Sequence, residues 1–525
     1  MTSFSHPVMT SVGVAPRRIV LSLRGITKRF GALVANDAID LDLREGEIVA
    51  LLGENGAGKT TLMNILFGHY VADAGEVLVA GPDGSLTPLA PGSADAALSA
   101  GVGMVHQHFT LAENLSGFDN IVLGTRPLWS IGIGGRAARD KVARIAAESG
   151  LGVDLDVPVT RLSVGEKQRV EILKALYRDV KVLILDEPTA VLTPQEAEGL
   201  ADIVRSLAGR GLAVIFISHK LAEVISLCER VVVLRGGAKV ADRATAGADR
   251  ATLAGLMVGR SIEVPRAAPR AVGEPVLTLD RVSAAMGRRD RLVDASLRLR
   301  AGEIVGIAGV SGNGQGTLAA LLAGLAAPRG GSLTVLGDAI TREDPRAMVA
   351  RGVGRVPEDR HREGSIGAMS ISENFVLERL QGGDFQRLGF LSRARIRAET
   401  GRIIEAFDVR CPGPDAPIRL LSGGNMQKVI LARALDGEPR LVLAHQPTRG
   451  LDVAATADIH RRLLDARDRG AGVLLISEDL DEIFALADRI AGIHHGELSR
   501  AFPAGSLDQR SVGLLMAGQD PGIAA

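Results

Sequence analysis

Covalent and metal cross-links have almost no material in this sequence: among 525 residues there are two cysteines, Cys228 and Cys411, far apart and in no C-x-x-C spacing. That excludes a disulfide framework and a cysteine zinc site, and predicts two reduced core residues of a cytosolic protein. Net charge is absent too. Lys plus Arg equals Asp plus Glu at 61 each, which gives no electrostatic reason to expect a nucleic-acid partner. The opening residues MTSFSHPVMTSVGVAP have neither a basic start nor a continuous apolar run, so residues 1–17 are expected to be a disordered tail rather than a signal peptide. One stretch lacks charge altogether, from Ile304 to Pro328, and about 20 apolar positions suffice to cross a bilayer. Gly309, Gly312, Gly314 and Gly316 interrupt it. It reads as a buried strand (IVGIAG), a glycine loop and a helix (TLAALLAGL) instead of a span.

What is present is an ordinary globular composition, 46% hydrophobic and 23% charged, in a chain long enough for more than one core. The sequence is also duplicated. EGEIVALLGENGAGKTTLMNILFG (45–68) matches AGEIVGIAGVSGNGQGTLAALLAG (301–324) at an offset of 309 − 53 = 256. LSVGEKQRVEILKALYR matches LSGGNMQKVILARAL, and VLILDEPT matches LVLAHQPT, both at an offset of 259. Short Val/Ile/Leu runs such as VLILD and AVIFIS alternate with helical stretches, as in a parallel sheet covered by helices. The expected organisation is a tail (1–17), a first α/β domain (18–258), a Pro- and Arg-rich linker (259–275), a second α/β domain (276–520) and a short tail (521–525).

GENGAGKT, residues 53–60, is a complete phosphate loop. Its glycines let backbone N–H groups form a tight nest around phosphates at the positive end of a helix. The binding stretch is Gly53, Glu54, Asn55, Gly56, Ala57, Gly58, Lys59, Thr60 and Thr61. Within it Lys59 reaches the β- and γ-phosphates, and the Thr60 hydroxyl suits Mg²⁺. VLILDEPT delivers Asp186 and Glu187 to a strand end, where open α/β sheets bind nucleotides. Taken alone, such a pair is more often a cap or a solvated turn. Behind a phosphate loop, Asp186 suits the Mg²⁺ shell and Glu187 suits the attacking water.

Together GENGAGKT, LSVGEKQ, LSGGNMQ, LILDEPTA and ISH resemble the nucleotide-binding domains of ABC transporters. Two such domains in one chain are similar to the ATPases of bacterial sugar and nucleoside uptake systems. The likeness runs from about Ile19 to Gly518. It implies two tandem P-loop ABC-type domains, each with a helical subdomain, and ATP with Mg²⁺ as cofactors. It also implies that Phe30 stacks on adenine, that Gln107 senses the γ-phosphate and metal, and that His219 holds the γ-phosphate and water. Alone, these three would read as core packing, a surface residue and a loop histidine. The segment Phe109 to Gly124 is implied to carry the surface that receives a permease, which would explain exposed hydrophobic residues there; the plainer reading is helical packing.

In the second half the hydrolytic groups are missing: Gln315 replaces Lys59, Gly316 replaces Thr60, His445 replaces Asp186, Gln446 replaces Glu187, Glu478 replaces His219, Glu358 replaces Gln107 and Met286 replaces Phe30. The resemblance implies head-to-tail domains, each nucleotide lying between one phosphate loop and the other signature. One site then joins the complete first loop to Ser422, Gly423, Gly424 and Asp452. The other joins the defective second loop to LSVGE and Thr193. The losses concentrate in that second site, which is expected to be structural or regulatory, with nucleotide binding through backbone donors still open. The implied partners are transmembrane permease subunits, an extracytoplasmic binding lipoprotein indirectly, and a second copy if the complex carries one. The implied place is the cytoplasmic face of the membrane. VPEDRHREG and LSVGEKQRVEILKALYR favour nucleosides over ribose or galactose. The competing class, a twin-domain ABC protein acting on ribosomes or nucleic acid, requires a long basic linker and excess positive charge. Neither is present.

Overall fold

The computed structural model of the chain describes residues 17–522 except 108, 126–134, 190, 191, 193, 260–264, 269, 288, 289, 381–384, 388 and 389. The expected first tail, apart from Arg17, therefore lies outside the described residues, as do Thr193 and residues 523–525. The described residues fall into two compact units that divide between 261 and 262.

In the first unit a six-stranded sheet runs, in spatial order, Ala238–Ala244, Arg230–Arg235, Ile48–Leu52, Ala213–Ile217, Val182–Asp186 and Val102–Val105. Every neighbouring pair is parallel except the first. The runs IVALL, VLILD and AVIFI are buried at every position, because helices cover both faces of a parallel sheet and leave no place for polar alternation. A smaller antiparallel sheet has the order Leu33–Arg44, Ile19–Phe30, Ala74–Ala80, Leu86–Pro88. Here one face is wet, and the sequence alternates: Ile39, Leu41 and Leu43 are buried while Asp40 and Arg44 are exposed. Leu21, Ile39, Leu51, Leu62 and Ile215 join both sheets and the loop helix in one buried cluster.

The second unit repeats this plan. Its main sheet runs Val353–Val356, Leu441–His445, Gly472–Ser477, Ile304–Ala308, Arg489–His494, Glu497–Leu498. The uncharged stretch from Ile304 forms the strand Ile304–Ala308, a loop and the helix Gln315–Leu322. Among the described residues no helix is long and apolar enough to cross a membrane. Each unit also has helices outside its sheets, Gly117–Val122, Arg136–Ser149 and Val164–Leu176 in the first, Ile371–Val376, Arg393–Ala406 and Gly423–Leu435 in the second.

Three details modify the sequence reading. Between Phe109 and Gly124, Phe118, Ile121 and Val122 are buried and Leu123 alone is a large exposed hydrophobic, so these apolar side chains mainly fill their own helical layer. Cys228 is buried, whereas Cys411 is half-buried at the margin of the core. Part of the linker region lies on the second unit, with Ala267 donating to the Ala485 carbonyl at 2.8 Å and Gly273 to that of Ala301 at 2.8 Å.

Candidate active site

The complete loop joins the end of Ile48–Leu52 to the helix Lys59–Leu66. Gly58 caps that helix at φ 98°, and a Cβ there would lie 2.1 Å from the Ala35 carbonyl oxygen. Asn36 donates to the Gly58 carbonyl at 3.1 Å, tying the loop to the antiparallel sheet. Gly56 has φ 83° and open space where its Cβ would be, so the loop can be approached closely on that side. The Lys59 ammonium donates to the carbonyls of Gly53 at 2.6 Å and Glu54 at 3.0 Å. It is thereby folded over the loop it serves. Glu54, Asn55 and Thr60 lie at the solvent side, Ala57 is buried, and Thr61 is half-buried in the helix's first turn.

The three strands beside this loop deliver the other groups from their C-terminal ends. Asp186 closes Val182–Asp186 and is buried. Glu187 follows with φ 47°, an uncommon conformation for a residue with a side chain. It is held by its N–H donating to the Ile217 carbonyl at 2.9 Å. Gln107, just beyond Val102–Val105, donates through Nε2 to Glu187 Oε2 at 2.9 Å. His219, just beyond Ala213–Ile217, places Nδ1 3.3 Å from Glu187 Oε1. The residues read as γ-phosphate sensor, water-orienting carboxylate and γ-phosphate histidine are thus brought into one chain of contacts. Burial pushes the Glu187 carboxyl up, but His219, Lys59 and Lys220 outweigh it and hold it below the usual carboxylate range, so it is ionised at neutral pH. Phe30 ends its strand about half exposed, with Tyr70 edge-on at 5.7 Å and the Lys28 ammonium 5.5 Å from the ring centre. It is a free platform more than a core residue.

The two signature helices differ in what their serines do. Ser163 caps Val164–Leu176 in a reciprocal box: the Glu166 N–H donates to its hydroxyl at 3.3 Å, and its own N–H donates to Glu166 at 2.8 Å. Ser422 makes no such cap for Gly423–Leu435 and instead accepts from Asn425 Nδ2 at 2.9 Å. The first turn of the second helix carries no acid, while that of the first carries Glu166. Only the second therefore offers an N-terminus whose dipole is uncompensated by its own side chains. Gly423 packs against Arg360 and Gly424 near Ala455. Asp452 accepts from the Ala455 N–H at 2.8 Å as the cap of Val453–Asp468. That contact fixes the helix start and had no place in the sequence reading.

In the second unit the backbone of the site survives and its chemistry does not. Gln446 repeats the turn of Glu187, with φ 50° and a 2.8 Å bond from its N–H to the Ile476 carbonyl. Gln315 is buried; its Nε2 donates to the Val310 carbonyl at 2.7 Å and its Oε1 accepts the Asn313 N–H at 2.9 Å. A Cβ at Gly316 would lie 2.3 Å from Asp290 Oδ2. That carboxylate stands against the start of the helix, where the first unit has a threonine. Asp290 was missed by sequence reasoning. The signal lay in the strand register, which pairs Met286 with Asp290 as it pairs Phe30 with Leu33, so an acid replaces an apolar residue. His445 is buried and its pKa is pushed down to about 4 by desolvation. Its Nε2 lies 3.6 Å from Glu358, which also pairs with Arg449. His494 and His495 pack on each other at 4.1 Å, and among the described residues no metal-ligating group of three forms.

Sequence comparison matches residues 36–190 and 292–449 to a family described as ABC transporter. The chain is 44% identical to the glucose import ATP-binding protein of Haloferax volcanii, with 96% of each chain covered. It is 42% identical to the nucleoside import ATP-binding protein of Lactococcus lactis, covering 95% of this chain and 98% of that one. The guanosine import ATP-binding protein of Bacillus subtilis is 41% identical, with 95% and 97% covered. Among solved structures, the archaeal ribosome recycling factor in complex with a ribosomal stalk protein superposes with a TM-score of 0.62 at 20% identity, over 91% of this chain and 90% of that chain. That likeness is one of fold.

Proposed function

The chain belongs to the ABC transporter family, and from that premise we propose that it is the ATP-hydrolysing subunit of an importer for a nucleoside or simple sugar, working at the cytoplasmic face on transmembrane permease subunits. The carrying observation is the Gln107–Glu187–His219 chain of contacts beside a complete phosphate loop. Relatives with the same two-domain extent serve glucose, nucleoside and guanosine import, and the two nucleoside-type names among them favour a nucleoside here.

The residues divide the work by charge. Lys59 and the loop N–H groups bind the β- and γ-phosphates, and in the head-to-tail arrangement that the family resemblance implies, the N-terminus of Gly423–Leu435 is the second positive helix end offered to that nucleotide. Ionised Glu187 orients the attacking water, with His219 holding both the carboxylate and the γ-phosphate. Thr60, Gln107 and Asp186 form an all-oxygen donor set that fits Mg²⁺; Gln107 uses its amide N–H on Glu187, which leaves its carbonyl oxygen for a cation. When bound, Mg²⁺ would neutralise phosphate charge there. One competent composite site results, built from the first loop and the second signature. The other site serves structure or regulation.

Steady-state ATPase rates in the assembled importer test this. Lys59→Ala, Glu187→Gln and Ser422→Arg should each lose about 10²-fold or more, although Ser422 lies in the other half of the chain. Gln315→Ala should cost little turnover. Ser163→Ala should cost about 1 kcal/mol of stability through its lost cap while sparing the rate. If Gln315→Ala and Ser163→Ala were as inactive as Lys59→Ala, two working sites would have to be assumed.

A further inference from the structure

Beneath the turn that carries Glu187, and beneath the matching turn of the second unit, lies a glutamate, half-buried in the first unit and buried in the second. In the first unit Glu223 Oε2 accepts from the Thr189 hydroxyl at 2.6 Å and the Ser218 hydroxyl at 3.1 Å. In the second, Glu482 Oε1 accepts from the Thr448 hydroxyl at 2.7 Å. Thr189 stands two residues after Glu187, and Ser218 just before His219. The glutamate therefore couples the turn that carries the carboxylate to the turn that carries the histidine.

The basic side chain beside that glutamate differs between the halves. In the first unit Lys220 lies 3.6 Å from Glu223 Oε1 and donates to the Thr189 carbonyl at 3.3 Å, while its own N–H donates to the Ser218 hydroxyl at 3.0 Å. One residue thus spans both turns. In the second unit the matching position is Asp479, which caps the helix Leu480–Leu486. The partner there is instead His460, whose Nε2 lies 3.1 Å from Glu482 Oε1 and which comes from the helix Val453–Asp468, and Glu482 Oε2 has no hydrogen-bond partner. The glutamate and the strand-end backbone are common to both halves. The lysine strap occurs only where there is a Glu187–His219 pair to align.

We infer that Lys220 is a positioning residue for hydrolysis, a strap from the turn after His219 to the Thr189 carbonyl that fixes the 3.3 Å approach of His219 to Glu187. Lys220 itself is assigned no contact with nucleotide. Because small displacements of reacting groups cost rate far more than they cost binding, its loss should fall on kcat.

This rests on the proposed role of Glu187, and the test separates the two. In the chain assembled with its permease, Lys220→Met should lower the kcat for ATP about tenfold with KM changed less than about twofold. Lys220→Arg, which keeps a cation and a donor, should recover most of the rate. Lys220→Gln is a milder truncation that guards against misfolding of the methionine variant, and should still lose about threefold or more. Wild-type kcat in the Met and Gln variants overturns the inference. So does a parallel loss of kcat, ATP affinity and melting temperature that Arg fails to recover, since that is what a purely structural lysine would give. Wild-type turnover in Glu187→Gln would instead count against the reading of the site itself.

Discussion

His445 shows most directly how one residue sets the character of a half. It occupies the strand-end position where the first unit has Asp186, yet it is buried, and the loss of solvent outweighs the nearby acids Glu358 and Asp290, so its pKa falls to about 4. In the unfolded chain an imidazole titrates near 6.5, so between those values the unfolded state binds a proton that the folded state refuses. Stability is therefore full above about pH 6.5 and declines as pH falls towards 4, by an amount on the order of 3 kcal/mol. His445→Asn should flatten that part of the curve of melting temperature against pH. An unchanged slope would mean that the imidazole is solvated and accepts a proton in the folded chain.

At the scale of the element, the two phosphate loops have the same strand, the same left-handed glycine before the helix, and different occupants. Lys59 donates to the carbonyls of Gly53 and Glu54 and accepts nothing from the loop's backbone N–H groups, as an ammonium cannot. Gln315 both donates to and accepts from its own loop, and Asp290 brings a carboxylate to Gly316. A carboxylate at a helix N-terminus stabilises that end and repels a phosphate arriving there. The backbone donors that the sequence left available in the second loop are thus guarded by a side chain from a neighbouring strand. Labelled non-hydrolysable ATP with Mg²⁺ should saturate the full chain at one nucleotide per chain, and Lys59→Ala should abolish that binding. Saturation at two would show that Asp290 and Gln315 yield to nucleotide.

For the whole molecule, the first half carries the complete loop and the hydrolytic turn and the second carries the signature helix without a serine cap, and the proposed function uses one from each. A transport role then depends on partners outside this chain. Deleting the chain should abolish uptake of a nucleoside, measured with radiolabelled substrate in whole cells, and restoration should require an active Glu187. If nucleoside uptake survived while uptake of one sugar disappeared, the substrate assignment would move to that sugar within the same family.

The sequence alone determined the duplication, the parallel strands and the first loop, because these depend on local rules. A continuous apolar run has no solvent face, and a glycine nest followed by Lys-Thr has few other uses. It also marked Asp186, Glu187 and the losses in the second half, through residue type at matched positions. It could not bring Gln107 and His219 to Glu187, since they lie 80 and 32 residues away in sequence and meet only because their strands are neighbours in the sheet. Nor could it show Asp290 against Gly316 or Lys220 across two turns. Both are contacts between separate elements, and their energetics follow from burial and distance, quantities that exist only once the chain is folded.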